Sequence, residues 1–341
     1  MAGKKLLIIG MGFHQYDAAI VEKFTSKGWE VEYQTQGPHY CEKHYDRTPM
    51  FINNALLDSH QKGVLAAIKN KTFDLVLVIV GRYLKPSVVA ELRSHLEENG
   101  RMILYLWDDV SRVANFHDVK SYYDEIFSFD PINCYKYGFK FLPLFYTERI
   151  AQANPEKKYD LYAAFLNHST RREAVESIVT RYPDCVTKFI IVMGALAYPL
   201  QRKTFLKTSS IEYRWSKPIP AELNRKYMID SRALFDVQYE TQAGLTIRSI
   251  ESIGADDKLV TTNKTVRFYD FYDDQNIQIC GRHDPEININ LLRAAYKPLA
   301  KDVLEHYSVG RWVDQIVSGQ PDNYLKPCYT LQDVYEAVVN K

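Results

Sequence analysis

The run FDLVLVIVG, Phe73 to Gly81, is apolar everywhere except at Asp74 and the closing glycine. A strand that buries one face alternates apolar and polar residues. One that is apolar throughout has to be covered on both faces, as in a parallel sheet flanked by helices. KLLIIG from Lys5 reads the same way and stops at a glycine turn, and RMILYLW from Arg101 follows later. Helical stretches lie between these runs. One spans about Tyr16 to Lys27 and another about Asn54 to Asn70. A third, PSVVAELRSHLEENG, opens on Pro86 and is expected to stop at Gly100. With EVEYQT from Glu30 and the later EIFSFD, the alternation predicts an α/β doubly wound domain.

The pattern then restarts. YDLYAAFLN from Tyr159 reads as a strand and STRREAVESIV as a helix capped by Ser169. TKFIIVMG, ALFDVQYE and DKLVTTN read as further strands. The segment LPLFYTERIAQANPEKK, Leu142 to Lys158, carries two prolines and a polar run and reads as a linker. A chain of 341 residues has room for two domains. The expected organisation is 1–150, 151–310 and a C-terminal segment, 311–341. VGRWVDQIV and TLQDVYEAVV near the end are expected to be helical.

Hydrophobic residues make up 46% and charged residues 25%, which suits a globular chain. The net charge of +1 gives no overall field to recruit nucleic acid. Between Arg202 and Arg232, however, lysine and arginine outnumber the acids. The five cysteines, Cys41, Cys134, Cys185, Cys280 and Cys328, are odd in number and scattered, without a CxxC pair. That argues against a disulfide framework or a zinc site. The start, MAGKKLLIIGMGF, reads as a first strand rather than a leader. No run reaches the ~18 apolar residues of a membrane span. A cytoplasmic protein is expected.

Four places can carry chemistry. GMGFHQ offers Gly10 and Gly12 of a dinucleotide loop, but Gln15 stands at its third position; Glu32 lies where a ribose-binding acid would fall. His14 and Asp17 are site candidates there, at a strand's carboxyl end. Trp107, Asp108 and Asp109 follow the strand RMILYL. Asp108 is a candidate general base on an acceptor hydroxyl, and either aspartate could instead cap the next helix. In FLNHSTRRE, the turn residues Asn167, His168 and Ser169, with Arg171 and Arg172 in the first helical turn, suit a phosphate.

The fourth is QAGLTIRSIESIGADDKLVTTN, Gln242 to Asn263. Gly244 and Leu245 lead into a helix that Thr246 can cap. Its unpaired amides favour an anion. Arg248 in the first turn opposes the helix dipole unless an anion lies near. Glu251, about a turn on, can accept hydrogen bonds from ribose hydroxyls; the bland alternative is an Arg248–Glu251 surface pair. DKLVTTN then ends in polar residues.

This segment, followed by YDFYDDQNI, resembles the C-terminal-domain signature of GT-B-fold bacterial glycosyltransferases of the lipopolysaccharide and capsule biosynthesis group. FDLVLVIVGRYL, ILYLWDD and IFSFDPINCYKYGFKFLPLFY are similar in order and spacing to that group's N-terminal half, and YDLYAAFLNHSTRRE to the start of its donor domain. The resemblance covers most of residues 1–315. It departs at Arg82, where lysine is expected, and after Gly319, where the chain looks like an extension. It implies two Rossmann-like domains facing a cleft. The C-terminal domain would hold a nucleotide-sugar donor and the N-terminal domain a saccharide or lipid-linked saccharide acceptor. It also implies no cofactor, no catalytic metal, no nucleic acid, and peripheral contact with the inner face of the cell membrane. A nicotinamide dehydrogenase and a non-catalytic nucleotide- or sugar-binding module are the alternative readings.

Overall fold

The computed structural model describes residues 3–339 except 13, 40, 42–47, 114, 151–155, 195–196 and 218. Two six-stranded sheets organise the chain. The first holds β1 (Lys4–Gly10), β2 (Trp29–Thr35), β3 (Phe73–Ile79), β4 (Leu96–Leu106), β5 (Glu125–Ser128) and β6 (Lys140–Phe141), in the order β2-β1-β3-β4-β5-β6. The second holds β7 (Leu161–Leu166), β8 (Thr187–Met193), β9 (Ile211–Trp215), β10 (Ala233–Asp236), β11 (Lys258–Thr261) and β12 (Ile277–Ile279), in the order β12-β11-β10-β7-β8-β9. Every pairing within the two sheets is parallel.

β3 lies where its composition demands, with Val76, Leu77, Val78 and Ile79 wholly buried. The polar exception is used locally: Asp74 accepts the main-chain N–H of Lys5 at 2.7 Å, tying β3 to β1. One helix is shorter than its sequence suggests. It spans Pro86–Ser94, and the chain re-enters the sheet at Leu96. Gly100 is therefore no helix stop. Phe73 pairs with Leu96 but Leu75 with Arg101, so the residues between bulge from β4. A side chain at position 100 would put its Cβ 2.8 Å from the Phe73 carbonyl oxygen, so the bulge needs glycine there.

The chain forms two compact units. The first comprises the chain up to Pro143 with Val309–Asn323 and Leu331–Val339; the second comprises Leu144–Ser308 with Tyr324–Thr330. Both C-terminal helices thus belong to the first unit. On the helix Val309–Ser318, Trp312 is buried edge-on against Tyr105, ring centres 4.8 Å apart. On the helix Leu331–Val339, Tyr335 lies 4.8 Å from Tyr135 of the helix Pro131–Tyr137. In the second unit Leu161, Phe189, Phe235 and Val260 build the core beneath the helix Arg171–Arg181.

Counting strands within each sheet, the first runs 2-1-3-4-5-6 and the second 6-5-4-1-2-3. Both are doubly wound orders. Each has one place where successive crossovers leave in opposite directions, and in such sheets ligands bind beyond the carboxyl ends of the strands there. That place lies between β1 and β3 in the first sheet, and between β7 and β10 in the second.

Candidate functional site

Beyond β7 the chain turns at Asn167, His168 and Ser169, and beyond β10 at Val237, Gln238 and Tyr239. The two turns are joined. Arg171 Nε donates to the Val237 carbonyl at 2.7 Å, and the His168 ring stacks on Tyr239 with centroids 3.8 Å apart. Ser169 does not cap the following helix. It sits in the left-handed region at φ 52°, and the cap position falls to Thr170, which makes no side-chain cap bond. Thr170 Oγ1 and Asn167 Oδ1 are instead buried at this turn without a hydrogen-bond partner.

Arg171 is the electrostatic centre of the crevice. Burial lowers its guanidinium to about 10; Asp236 and Tyr239 oppose the shift, while Arg248 and Arg282 add to it. Arg248, Arg282 and the buried carboxylate of Asp236 thus all act on Arg171, and Asp236 also accepts from Ser249 Oγ at 3.2 Å. Arg282, just past β12, has a buried Nη1 without a hydrogen-bond partner. Arg172, next to Arg171, points elsewhere. It bonds Glu176 at 2.8 Å and the Thr204 carbonyl at 2.6 Å, and lies over the Phe205 ring.

The helix Ile247–Ala255 begins at the same edge. Thr246 is its N-cap, accepting from the Ser249 amide at 3.3 Å. Leu245 is buried beneath the entry. The polar end of β11 explains how the entry is held. Asn263 Nδ2 donates to the carbonyls of Ala243 and Gly244 at 3.1 and 3.2 Å, and Thr265 Oγ1 donates to Ala243 at 2.6 Å. Gln242 also reaches the Gly244 carbonyl, at 2.8 Å. Asn263 and Thr265 are thus a clamp that fixes where the helix N-terminus lies. Arg248 and Glu251 are half-buried on its first turns. Both bear electrostatically on the buried Tyr162 of β7, whose hydroxyl burial raises.

In the first unit the glycine loop is closed by the chain itself. The Gly12 amide donates to Asp17 Oδ2 at 2.8 Å, and the Tyr33 hydroxyl donates to the same oxygen at 2.8 Å. The Tyr33 ring covers Gly10 so tightly that a Cβ there would meet it at 2.4 Å. Glu32 sits mid-strand opposite Leu7 and pairs with Lys71 at 2.8 Å. This arrangement leaves a pyrophosphate no open amide at Gly12 and gives Glu32 no place at a strand end. His14 opens the helix His14–Ser26; its side chain lies outside the described residues.

At the end of β3, Val80 and Gly81 both take positive φ, 71° and 68°. A β-branched residue there is strained by about 1–3 kcal/mol. The kink precedes Arg82, which forms an ion pair with Asp108. The other oxygen of Asp108 meets Arg112 at 3.3 Å. Asp109 turns the other way and caps Val110–Arg112, accepting from the Ser111 amide at 2.9 Å. Trp107 lies between Tyr16 and Tyr105. Among the described residues, no three His, Cys, Asp or Glu side chains gather as a metal-ligand group.

No protein-family model matches the chain, and no curated protein matches it by sequence. Solved structures do match over nearly its full length. A glycosyltransferase from Rickettsia africae superposes with a TM-score of 0.56 at 9% identity, covering 99% of each chain. The fold is GT-B. The lipopolysaccharide outer core galactosyltransferase WaaB matches with a TM-score of 0.50 at 9% identity, over 92% of this chain and 99% of that one. A UDP-GlcNAc 2-epimerase from Neisseria meningitidis, bound to UDP-GlcNAc, matches with a TM-score of 0.50 at 10% identity over the same shares.

Within this GT-B chain the crevice gathers residues that its sequence does not advertise. Asp236 and Tyr239 close the strand ALFDVQYE without belonging to any motif. Arg282 arrives from the strand two places beyond β10. The one available signal was the parallel order itself, which brings the carboxyl ends of β7, β10, β11 and β12 to a single edge.

Proposed function

We propose that the protein is a nucleotide-sugar-dependent glycosyltransferase whose donor binds at the β7–β10 crevice. One observation carries this reading: the buried guanidinium of Arg171 feels two further arginines, Arg248 and Arg282, together with the carboxylate of Asp236, beside the N-terminus of the helix Ile247–Ala255. A site so rich in positive charge and open amides suits a diphosphate. Negative charge grows on the leaving diphosphate as the glycosidic bond breaks, and fixed guanidiniums and amides stabilise it without a metal ion. Asn167, His168, Ser169, Gly244, Leu245 and Thr246 shape the phosphate end, and Glu251 takes the ribose hydroxyls. Arg172 is committed to Glu176 and Thr204 and is left out of the ligand's contacts.

The acceptor is proposed to be a saccharide or lipid-linked saccharide of lipopolysaccharide or capsule synthesis; the likeness to an outer core galactosyltransferase supports that class. Asp108 is the proposed base. Its contact to Arg112, 3.3 Å, is the looser of its two ion pairs and the one an acceptor hydroxyl would replace. Asp17 and His14 follow the end of β1, two strands away from β4 in the same sheet.

The likeness to an epimerase sets the competing reading, a reaction on the nucleotide sugar without any acceptor. Incubating the purified chain with a panel of nucleotide sugars separates the two. Transfer predicts release of nucleoside diphosphate, slow alone and faster with a saccharide acceptor. Recovery of an intact nucleotide sugar with an inverted carbon would establish epimerisation. Binding without turnover of any donor would leave a non-catalytic module.

A further inference from the structure

The edge strand of the second sheet carries a surface that donor binding does not use. Trp215 ends β9 and is 58% exposed. Its ring stacks on Tyr198 at 6.0 Å; Tyr198 meets Phe205 edge-on, and Phe205 stacks on Tyr213 at 4.1 Å. Beside this row of rings, Leu200 on the short helix Ala197–Gln201 is 80% exposed. From Ala197 to Lys217 the chain carries five cations, Arg202, Lys203, Lys207, Arg214 and Lys217, and one acid, Glu212. That acid is already held by Lys188 at 3.1 Å and Arg214 at 3.3 Å. Arg202, Lys203, Lys207 and Lys217 are all exposed. A groove of about 580 Å³ lined by Thr180, Arg181, Thr204 and Lys207, among others, opens beside them.

We infer that this face docks on an anionic membrane surface, with Leu200 and Trp215 entering the headgroup layer and the surrounding lysines and arginines meeting lipid phosphates. Three features select this partner. The cations are concentrated here although the whole chain is nearly neutral, at +1, so the attraction is local to the patch. Indole and phenol rings suit the boundary between headgroups and acyl chains, where one end is apolar and the other wet. Leu200 decides against a nucleic acid, because bases stack on rings but gain nothing from an exposed aliphatic side chain. No helix among the described residues is long and apolar enough to cross a membrane, so this attachment is by the surface.

The position has a consequence. Trp215 lies at the carboxyl end of β9, the same edge of the sheet as the β7–β10 crevice, two strands away or about 10 Å. Docking would bring the donor edge to the lipid surface, where a lipid-linked acceptor lies. That consequence rests on the glycosyltransferase reading; membrane binding itself does not. Vesicle binding without sugar transfer would sink the one and leave the other.

The test is co-sedimentation of the full chain with vesicles of phosphatidylglycerol and, separately, of phosphatidylcholine. Binding to phosphatidylglycerol alone is expected, lost in high salt. The triple substitution Lys203→Gln, Lys207→Gln, Lys217→Gln should weaken it at least about tenfold. Leu200→Asp should weaken it further in the wild-type background than Leu200→Ala, with melting temperatures unchanged because every altered side chain is exposed. A blue shift of tryptophan emission on vesicle addition should vanish in Trp215→Phe. Absence of binding to either vesicle, or binding indifferent to these substitutions, would overturn the inference. So would charge-dependent binding to a single-stranded oligonucleotide without binding to vesicles.

Discussion

Arg171 reaches from the turn after β7 to the main-chain carbonyl of Val237 after β10, a bond of 2.7 Å across the reversal point of the second sheet. It crosses the place where a doubly wound sheet offers its crevice, and it carries a charge that burial has already made costly. An anion in the crevice would relieve that cost.

Substituting Arg171→Gln should therefore weaken a nucleoside diphosphate by roughly ten- to a hundredfold, the worth of a lost charge-assisted hydrogen bond. Arg172→Gln should change affinity little, because its guanidinium serves Glu176 and Thr204. Calorimetric titration of both variants checks this; equal losses would contradict it.

The two arginines also mark what the sequence could and could not say. As letters they are equivalent. On a helix, neighbours point about 100° apart, and only the packing of β7 against β10 decides which one turns inward. The alternation of apolar strands and helices was legible because FDLVLVIVG has to be covered on both faces. The bulge around Gly100 was not, because EENG in isolation reads equally well as a helix end. Thr246 as a cap followed from local chemistry. Asn263 as a clamp on Gly244 did not, since the contact spans nineteen residues of chain. Arg282 entered through topology alone.

Asp160 anchors the start of β7. Burial pushes its carboxyl up, but Arg293 at 2.8 Å, the Val186 amide and Arg232 outweigh that, so it lies below its ordinary value. A carboxyl lowered in the folded state stabilises above the unfolded pKa of ~3.9, and the contribution is lost as pH falls below it. Asp160→Asn should cost about 1–3 kcal/mol at neutral pH. Its stability should also fall less steeply than the wild type's below about pH 4. Denaturant midpoints across that range decide; parallel curves would contradict the assignment.

Asp257 works in the opposite sense. Burial pushes it up to about 7 against the pull of Lys157, 3.1 Å away. A carboxyl raised in the folded state stabilises fully below the unfolded pKa, and that contribution is lost as pH rises through about 7. Asp257→Asn should remove this component, leaving melting temperature flatter between about pH 4 and 7 than in the wild type. An unchanged slope would place the ionisation elsewhere.

Asp108 is held by Arg82 and Arg112. If it accepts the acceptor's proton, Asp108→Asn should cut transfer by roughly 10²–10⁴-fold. Nucleotide affinity should stay the same, since the crevice proposed for the donor belongs to the other sheet. Wild-type turnover in the variant would reduce Asp108 to an ion-pair partner that shapes the turn.

The central claim is that the β7–β10 crevice holds a nucleoside diphosphate. Calorimetric titration of wild type, Arg248→Gln and Glu251→Gln with a nucleoside diphosphate and with its parent nucleoside tests it most directly. The account predicts that the wild type binds the diphosphate. Arg248→Gln should weaken the diphosphate by roughly ten- to a hundredfold while hardly touching the nucleoside, and Glu251→Gln should weaken both. If both variants bind the diphosphate as the wild type does and lose only thermal stability, Arg248 and Glu251 are structural and the crevice is not the donor site.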